Sequence, residues 1–501
     1  MSSTDHPDRS PSRWPWLWLL VGAALLPVTN LQTLVPLASW LAPVFLLRFF
    51  RSQRLRVSVP AMFIVMSATV AVAMRNGFFS IAGGVDYVVF VIGLGLFGTV
   101  PFIVDRLIVP RMGVLAGTLV FPTAVTTVEL LGTVGNPFGT AGSVAYSQYA
   151  SLPLMQVASV TGIWGLTFLV SWLAPVANEI WERGIAGPDV RRATALFVTA
   201  LVVAMLFGGT RLAFAGTPAD EVRVAALAPD RVLNDRAYAE RGEHMAPVLD
   251  ELFTRSEAEA QAGAKIIAWS EAAALVPEEE QAAMVERAAE LADTENVYLQ
   301  ISMIVLLSNP DRGGDVNENH AVLLGPDGEV QWDYLKSKPT PGDGHSPGPG
   351  EVPVVDTPYG RLATVICQDD FFPSLIRQAG RKDVDILLLP SSDWEAITDW
   401  HAQQSPFRAV ENGMALVRPT RKGITLATDS LGRTVGQKSD YFTGDDHTLV
   451  TSVPMQGRST VYAAIGDVFA YACAAGLVLM AGWAVRTAVR GRRSTVRQPS
   501  S

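Results

Sequence analysis

Cys367 stands where an apolar run, Leu362-Ala363-Thr364-Val365-Ile366, gives way to the polar Gln368-Asp369-Asp370. The run reads as a buried β-strand, so the cysteine sits where a fixed strand end opens onto a loop. It is one of two cysteines in 501 residues, too few for a disulfide framework. A thiol so placed suits nucleophilic chemistry; the plain alternative is a small core hydrophobe. Two other reactive side chains stand at strand ends. Glu271 follows Ile266-Ile267-Ala268-Trp269-Ser270, and Lys336 follows a strand and turn in Trp332-Asp333-Tyr334-Leu335. A carboxylate can take the thiol proton, because a thiol with a pKa near about 8.5 needs a base to attack at neutral pH. An ammonium can stabilise the thiolate and then the oxyanion of a tetrahedral intermediate. Taken singly, Glu271 reads as an exposed acid and Lys336 as a solvated base. Together, and in this order, they are far more specific.

The elements that must hold these groups lie in a polar, acidic block of about 235 residues, long enough for its own core. Short apolar runs at 222–228, 264–269, 297–302, 320–324, 362–366, 386–389 and 414–418 read as strands. Alanine- and glutamate-rich stretches at 238–262, 278–292 and 401–412 read as helices. Alternation of the two indicates a layered α/β fold. The turns Gly325-Pro326-Asp327-Gly328 and Asp429-Ser430-Leu431-Gly432 add antiparallel hairpins. No internal repeat and no nucleotide-binding glycine motif is present.

The rest of the chain is of another kind. Hydrophobic residues make up 49% and charged ones only 17%, and the mean hydropathy is +0.25, a membrane-protein balance. Apolar stretches at 14–29, 31–50, 58–75, 86–108, 112–132, 156–177 and 193–214 each approach the roughly 20 residues a bilayer-spanning helix needs, and one more covers 461–485. A cleaved signal peptide is the alternative for the first, but another apolar run follows it at once. Arg9 and Arg13 precede the first stretch. Arg48, Arg51, Arg54 and Arg56 follow the second, Arg106 and Arg111 the fourth, Arg183, Arg191 and Arg192 the sixth. Arg486, Arg490, Arg492, Arg493 and Arg497 follow the last, and Arg75 is the exception on the other side. Positive loops face the cytoplasm, so eight spans place both termini inside and the polar block outside. The expected organisation is a cytoplasmic tail (1–13), a seven-span domain (14–216), an α/β domain (217–455), a final span (456–486) and a basic tail (487–501). The acidic balance, with a pI near 5.3, argues against nucleic acid as a partner.

The ordered Glu, Lys and Cys resemble the catalytic set of the carbon–nitrogen hydrolase (nitrilase) superfamily, whose fold is an α-β-β-α sandwich. Trp269-Ser270-Glu271, Tyr334-Leu335-Lys336 and Ile366-Cys367 look like its three catalytic motifs. Arg408-Ala409-Val410-Glu411-Asn412 and Gly423-Ile424-Thr425 are similar to two further stretches. A seven-plus-one arrangement of spans resembles one branch, the apolipoprotein N-acyltransferases. So do Asn136-Pro137-Phe138-Gly139, Ala145-Tyr146-Ser147-Gln148, the segment from Gln156 through Gly162 to Gly165, and His401 ahead of Arg408. That branch usually carries Tyr-Glu after the cysteine, where this chain has Gln368 and Asp369. Its long arm after the lysine is clipped here to 337–345, with Asp343 the best match for its second glutamate and Glu351 a weaker one.

The resemblance implies acyl transfer in two halves. Glu271 would deprotonate Cys367, which attacks a phospholipid ester; Lys336 and backbone N–H groups after the cysteine would hold the oxyanion. The thioester would then pass to the α-amino group of a lipoprotein's diacylglyceryl-cysteine. Substrate contacts are expected from Asp343, Gln368, Asp369, Trp394 and His401, although Trp394 reads equally as a loop anchor. His345 reads as a solvated loop residue or an acid–base group, Tyr146 and Gln148 as packing, and Cys473 as packing in the last span. The partners implied are a phospholipid donor, a lipoprotein acceptor and a bacterial plasma membrane, with no cofactor and no metal. A membrane-anchored amidase using water as acceptor, and a non-catalytic scaffold, remain the alternatives.

Overall fold

The computed structural model describes residues 14–29, 34–74, 84–216, 220–229, 245–307, 317–439 and 447–496. The expected tail 1–13 with Arg9 and Arg13, as well as Arg75, Arg497 and positions 238–244 of an expected helix, lie outside them. Among the described residues, seven helices of 11 residues or more occupy the apolar region: α1 (Pro15–Leu25), α2 (Pro36–Ser52), α3 (Leu55–Ala73), α4 (Val85–Ile108), α5 (Val114–Gly132), α6 (Ile163–Arg183) and α7 (Pro188–Ala213). Five of these, and one more near the C-terminus, are long and apolar enough to cross a membrane among the described residues. The first two expected spans come out shorter. α1 has 11 residues and α2 has 17, below the roughly 20 needed to cross the hydrocarbon core. α6 starts at Ile163 rather than near 156, because Gly162 breaks the apolar run with a φ of 63°. A side chain there would collide with Tyr462, whose ring comes within 2.5 Å of the Cβ position. At the arginine-rich ends of the bundle, Arg51 of α2 bonds Asp105 of α4 at 2.7 Å and approaches Glu179 of α6 at 3.5 Å. All three are buried, so this ion pairing locks three helices together.

The polar block folds as two stacked sheets. The first runs β15 (Thr448–Pro454), β1 (Glu221–Leu227), β2 (Ile266–Trp269), β4 (Tyr298–Leu306), β5 (Asn317–Leu324) and β6 (Val330–Leu335), with β3 (Ala274–Pro277) also on β4. The second runs β14 (Thr434–Ser439), β13 (Ile424–Thr428), β11 (Ala415–Arg418), β9 (Ile386–Leu388), β8 (Gly360–Thr364) and β7 (Val354–Thr357). A short parallel pair, β10 (Ser391–Ser392) and β12 (Thr420–Arg421), stands apart. Helices α8 (Ala246–Gln261) and α9 (Gln281–Glu295) cover the first sheet, and α10 (Pro373–Arg381) and α11 (Thr398–Asn412) belong to the second layer of helices. The final helix, α12 (Val468–Val496), returns to the apolar bundle and packs on α5.

The period-two alternation of strand side chains builds these layers. On β1 and β2, Val222, Val224, Ile266 and Ala268 point into a core shared with Leu362, Ile386, Leu388 and Leu416 of the other sheet. Their neighbours Ala225, Leu227, Ile267 and Trp269 point the other way, onto Leu252 and Phe253 of α8 and Met284 and Ala288 of α9. Both faces are apolar, and the runs therefore read as continuous rather than alternating. The expected α-β-β-α sandwich is the observed architecture. Both expected hairpins are present: β5 and β6 are antiparallel around Gly325–Gly328, and β13 and β14 around Asp429–Gly432.

Candidate active site

Each strand ends where a reactive group is needed. β2 stops at Trp269, and Glu271 follows after one buried serine; β6 stops at Leu335, directly before Lys336. β8 stops at Thr364. Two more extended residues lead to Cys367, which opens a tight 3-10 turn with a φ of 48°. A non-glycine residue in the left-handed region is strained, and strain of this kind persists only where the surroundings hold it. Here Cys367 N–H donates to Pro390 O at 2.9 Å, and Asp369 accepts from Ile366 N at 3.0 Å.

The three side chains converge. Lys336 Nζ donates to Glu271 Oε1 at 2.7 Å, and Asn319 Nδ2 donates to the same oxygen at 2.8 Å. Glu271, Lys336 and Cys367 are 5%, 2% and 7% exposed, so the charges face each other with little water between them. Burial alone would raise the Glu271 carboxyl, but the Lys336 charge and hydrogen bond, helped by the nearby Cys367 thiol and Asn319, pull it below its ordinary value. Burial would lower Lys336, yet Glu271 more than reverses this and holds it well above the usual range. Burial and the Glu271 charge push the Cys367 thiol well up, against the opposing pull of Lys336. The resting set is therefore carboxylate, ammonium and neutral thiol. A base and its proton donor are in place, and the thiolate forms only as it attacks.

One cavity of about 320 Å³ joins these groups to the apolar bundle. Its walls include Glu271, Lys336 and Cys367 on one side and Ala73 and Met74 at the end of α3 and Phe90 of α4 on the other. Phe138, Phe371 and Trp400 add aromatic wall. Of the expected substrate contacts, Asp343, Gln368, Trp394 and His401 line the cavity. Asp369 is not among the lining residues. It is fully buried and accepts from Tyr334 Oη at 2.7 Å and from Lys338 N at 2.7 Å. Its carboxylate ties the cysteine turn to the segment carrying Lys336, which leaves it no free face for substrate.

The clipped arm is an ordered turn. Asp343 Oδ2 accepts from Thr340 N at 2.9 Å, and Thr340 Oγ1 donates to Gln368 Oε1 at 3.1 Å. The amide end of Gln368 donates to Pro137 O at 2.8 Å, in the loop between α5 and α6. Gln368 thus clamps the cysteine turn to both the arm and the apolar domain. Burial works against the Asp343 carboxyl, but His345 and then Lys336 hold it below its ordinary value.

Below the cysteine lies a buried polar network that sequence reasoning saw only through His401. His401 Nδ1 meets Asp393 at 2.8 Å and Nε2 meets Asp370 at 3.2 Å, while Arg418 Nη2 reaches both Asp393 oxygens at 2.9 Å. Ser405 Oγ donates to Asp370 at 2.6 Å. Donor atoms of Cys367, Asp393 and His401 lie within 4.8 Å of one another, a set a metal could use. The carboxylates, imidazole and Arg418 are already spent on each other, so this geometry fits an ion-pair network better than a metal centre. Asn319 was also missed, because it stands in the polar start of β5, Asn317-Glu318-Asn319-His320, ahead of the apolar run that reads as a strand.

The expected packing residues have sharper roles. Arg408 bonds both Glu411 and the Tyr146 hydroxyl, and Glu411 Oε1 accepts from Ile163 N at 2.9 Å. A catalytic-layer carboxylate therefore caps the N-terminus of α6, where the helix dipole favours negative charge. Thr140 donates its N–H to Phe371 O at 2.9 Å, and Gln156 Nε2 donates to Leu431 O at 2.9 Å. Gln148 bonds Ser39 and Ser147. Cys473 lies in the first turns of α12, beside residues of α5, α6 and α7 and away from the lining of the active-site cavity.

A two-sheet sandwich with buried Glu, Lys and Cys at adjoining strand ends defines a class. Residues 224–471 match the family described as carbon-nitrogen hydrolase. Similarity extends beyond the sandwich. The chain is 28% identical over 376 residues to an apolipoprotein N-acyltransferase of Geobacter metallireducens, covering 69% of this chain and 70% of that one. It is 27% identical over 435 residues to apolipoprotein N-acyltransferase 2 of Treponema pallidum, covering 75% and 76%. Among solved structures, an amidase from Nesterenkonia sp. is 20% identical, with 51% of this chain and 98% of that one covered and a TM-score of 0.40.

Proposed function

We propose that this protein is an N-acyltransferase that moves a fatty acyl chain from a phospholipid, through a Cys367 thioester, to the α-amino group of the N-terminal diacylglyceryl-cysteine of lipoproteins. The observation that carries this reading is the single cavity running from Glu271, Lys336 and Cys367 to the membrane-helix residues Ala73, Met74 and Phe90. A soluble amidase has no use for a site opening onto apolar helices; an enzyme with two lipid substrates requires it.

In the first half-reaction Glu271 takes the Cys367 proton as sulfur attacks the ester carbonyl. Lys336 steadies the developing oxyanion. The C–O bond breaks, and Glu271 returns its proton to the departing lysophospholipid hydroxyl. In the second half, amine nitrogen attacks the thioester, Glu271 takes a proton from it, the C–S bond breaks, and Glu271 reprotonates the thiolate. Transfer through a covalent intermediate gives ping-pong kinetics.

The bundle's orientation follows from its arginines. α1 and α2 are short, but omitting both leaves five spans before the sandwich instead of seven, still an odd number. Both termini then stay cytoplasmic and the sandwich sits outside, above the outer leaflet of a bacterial plasma membrane.

The test is direct. Purified protein in phospholipid vesicles should acquire one acyl group on Cys367, seen as a mass shift of the intact protein, and should pass it to a diacylglyceryl-cysteinyl peptide. Steady release of free fatty acid with no amide product would instead establish the hydrolase.

A further inference from the structure

Proton accounting in the second half-reaction leaves one proton without an acceptor. An α-amino group has a pKa of about 7.7–8.0, so the acceptor reaches the site mainly as an ammonium. Forming the amide removes two protons from it. Glu271 can take one, which it hands back to the Cys367 thiolate. The other must leave before attack, because an ammonium has no lone pair and is repelled by the buried Lys336 charge.

We propose that His345 is that acceptor, a second catalytic base dedicated to the amine, an inference that rests on the transferase reading above. His345 is not a solvated loop residue: its side chain is only 9% exposed, and it lines the same cavity as Glu271, Lys336 and Cys367. Its Nδ1 lies 3.4 Å from Asp343 Oδ2, which places a carboxylate beside the ring. No hydrogen bond engages its Nε2 among the described residues, which leaves that nitrogen for the incoming amine.

The backbone fixes the ring. Ser346 N–H donates to Asn317 O at 2.9 Å, and Gly348 N–H donates to Lys336 O at 2.8 Å, so the arm is stitched to the end of β6 and the start of β5. Gly342 and Gly344 hold φ of 89° and 70°, which lets the arm turn sharply on either side of Asp343. A side chain at Gly348 would meet Leu335 O at 2.1 Å. The other charged or titratable groups around this cavity are Asp343 on the arm, Lys336 after β6, Glu271 after β2, Cys367 on its turn, and Asp393, His401 and Arg421 from the second sheet's side. Asp393 is held by Arg418 and His401, and Glu271 by Lys336. Asp343 and His345 are the pair not committed to either set.

The step balances. His345 Nε2 takes one proton from R–NH3+, giving R–NH2 and an imidazolium beside Asp343; the imidazolium later yields its proton to water. Nitrogen then attacks the thioester and Glu271 takes the second proton. The C–S bond breaks, and the Cys367 thiolate recovers that proton from Glu271.

Single-turnover aminolysis of the preformed acyl-enzyme tests this. With a diacylglyceryl-cysteinyl peptide, the unsubstituted protein should lose less rate between pH 9 and pH 7 than the loss of neutral amine alone would cause. His345→Asn should still form the thioester but transfer about tenfold more slowly at pH 7, the neutral fraction of the amine being roughly one in ten there. The deficit should vanish by pH 9, and also at pH 7 with trifluoroethylamine, an acceptor already neutral at that pH. Asp343→Asn should show a smaller deficit of the same shape. The inference is overturned if His345→Asn matches the unsubstituted rate at pH 7, or loses rate equally at both pH values and with both amines. Failure of the unsubstituted protein to form any thioester would overturn the transferase reading itself, and this inference with it.

Discussion

Lys336 Nζ and Glu271 Oε1 stand 2.7 Å apart, with 3% and 6% of their side chains exposed. Neither charge has enough water to survive alone. Removing one partner of such a pair costs about 3–5 kcal/mol because it strands the other. The same contact sets the resting protonation states, for it is Lys336 that keeps Glu271 ionised against the penalty of burial.

Lys336→Met should therefore do more than remove oxyanion stabilisation. Thioester formation should fall by at least about 100-fold, and the pH at which the residual rate drops in acid should move upward, since burial then dominates the Glu271 carboxyl. Stopped-time acylation across pH 4–8 measures both. An unchanged acid limb would mean that Lys336 does not govern the Glu271 proton.

Gln368 holds Pro137 of the membrane part with one end of its amide and Thr340 of the arm with the other. Gln368→Ala should leave Cys367 open to alkylation while loosening the arm. Proteolysis within 339–350 should accelerate, and transfer to the peptide acceptor should fall several-fold more than thioester formation does. Equal losses in both halves would mean that the clamp serves the nucleophile alone.

Much of this was legible because reactive groups mark the ends of apolar runs. Glu271 and Cys367 each follow a buried apolar run, and Lys336 follows a half-exposed strand, β6, in which Trp332 and Tyr334 alternate with outward-facing residues. Other features carry no such mark. β3, β7, β10, β12 and β14 are short or half-exposed, and their pairing comes from neighbours far away in sequence. The polar network around His401 depends on Asp370, Asp393 and Arg418, which meet only when three separate segments fold together. Asp369 read as a substrate residue because it follows the cysteine; the backbone turn points it instead toward Tyr334 and Lys338. The first two helices looked long enough to span because composition gives no end point, whereas Pro36 and Ser52 delimit the second helix itself.

His401 offers a pH test. Burial and Arg418 push its imidazole down, but Asp393 and Asp370 outweigh them and hold it above its ordinary value. The stability this contributes is complete below about pH 6.5, where the unfolded chain is also protonated, and declines as pH rises through the higher folded value. His401→Asn should destabilise the detergent-solubilised protein by about 3 kcal/mol at pH 6. The gap in melting temperature from the unsubstituted protein should narrow toward pH 9. A gap that widens with pH would mean that the imidazole is neutral in the fold.

Ala73 closes the α3 end of the cavity, some way from the cysteine but on the same wall as Met74 and Phe90. If an acyl chain lies along that wall while its carbonyl meets Cys367, filling the far end shortens the chain that fits. Ala73→Phe should then cut thioester formation from a long-chain phospholipid by about tenfold or more, the equivalent of about 1.4 kcal/mol. A short-chain acyl donor, whose tail stops before Ala73, should react as before, because Glu271, Lys336 and Cys367 are untouched. Acylation rates for donors of graded length, read from the mass of the acyl-enzyme, separate the outcomes. A uniform loss across chain lengths would mean that the substitution disturbs the fold, and no loss at any length would place the acyl chain along another wall.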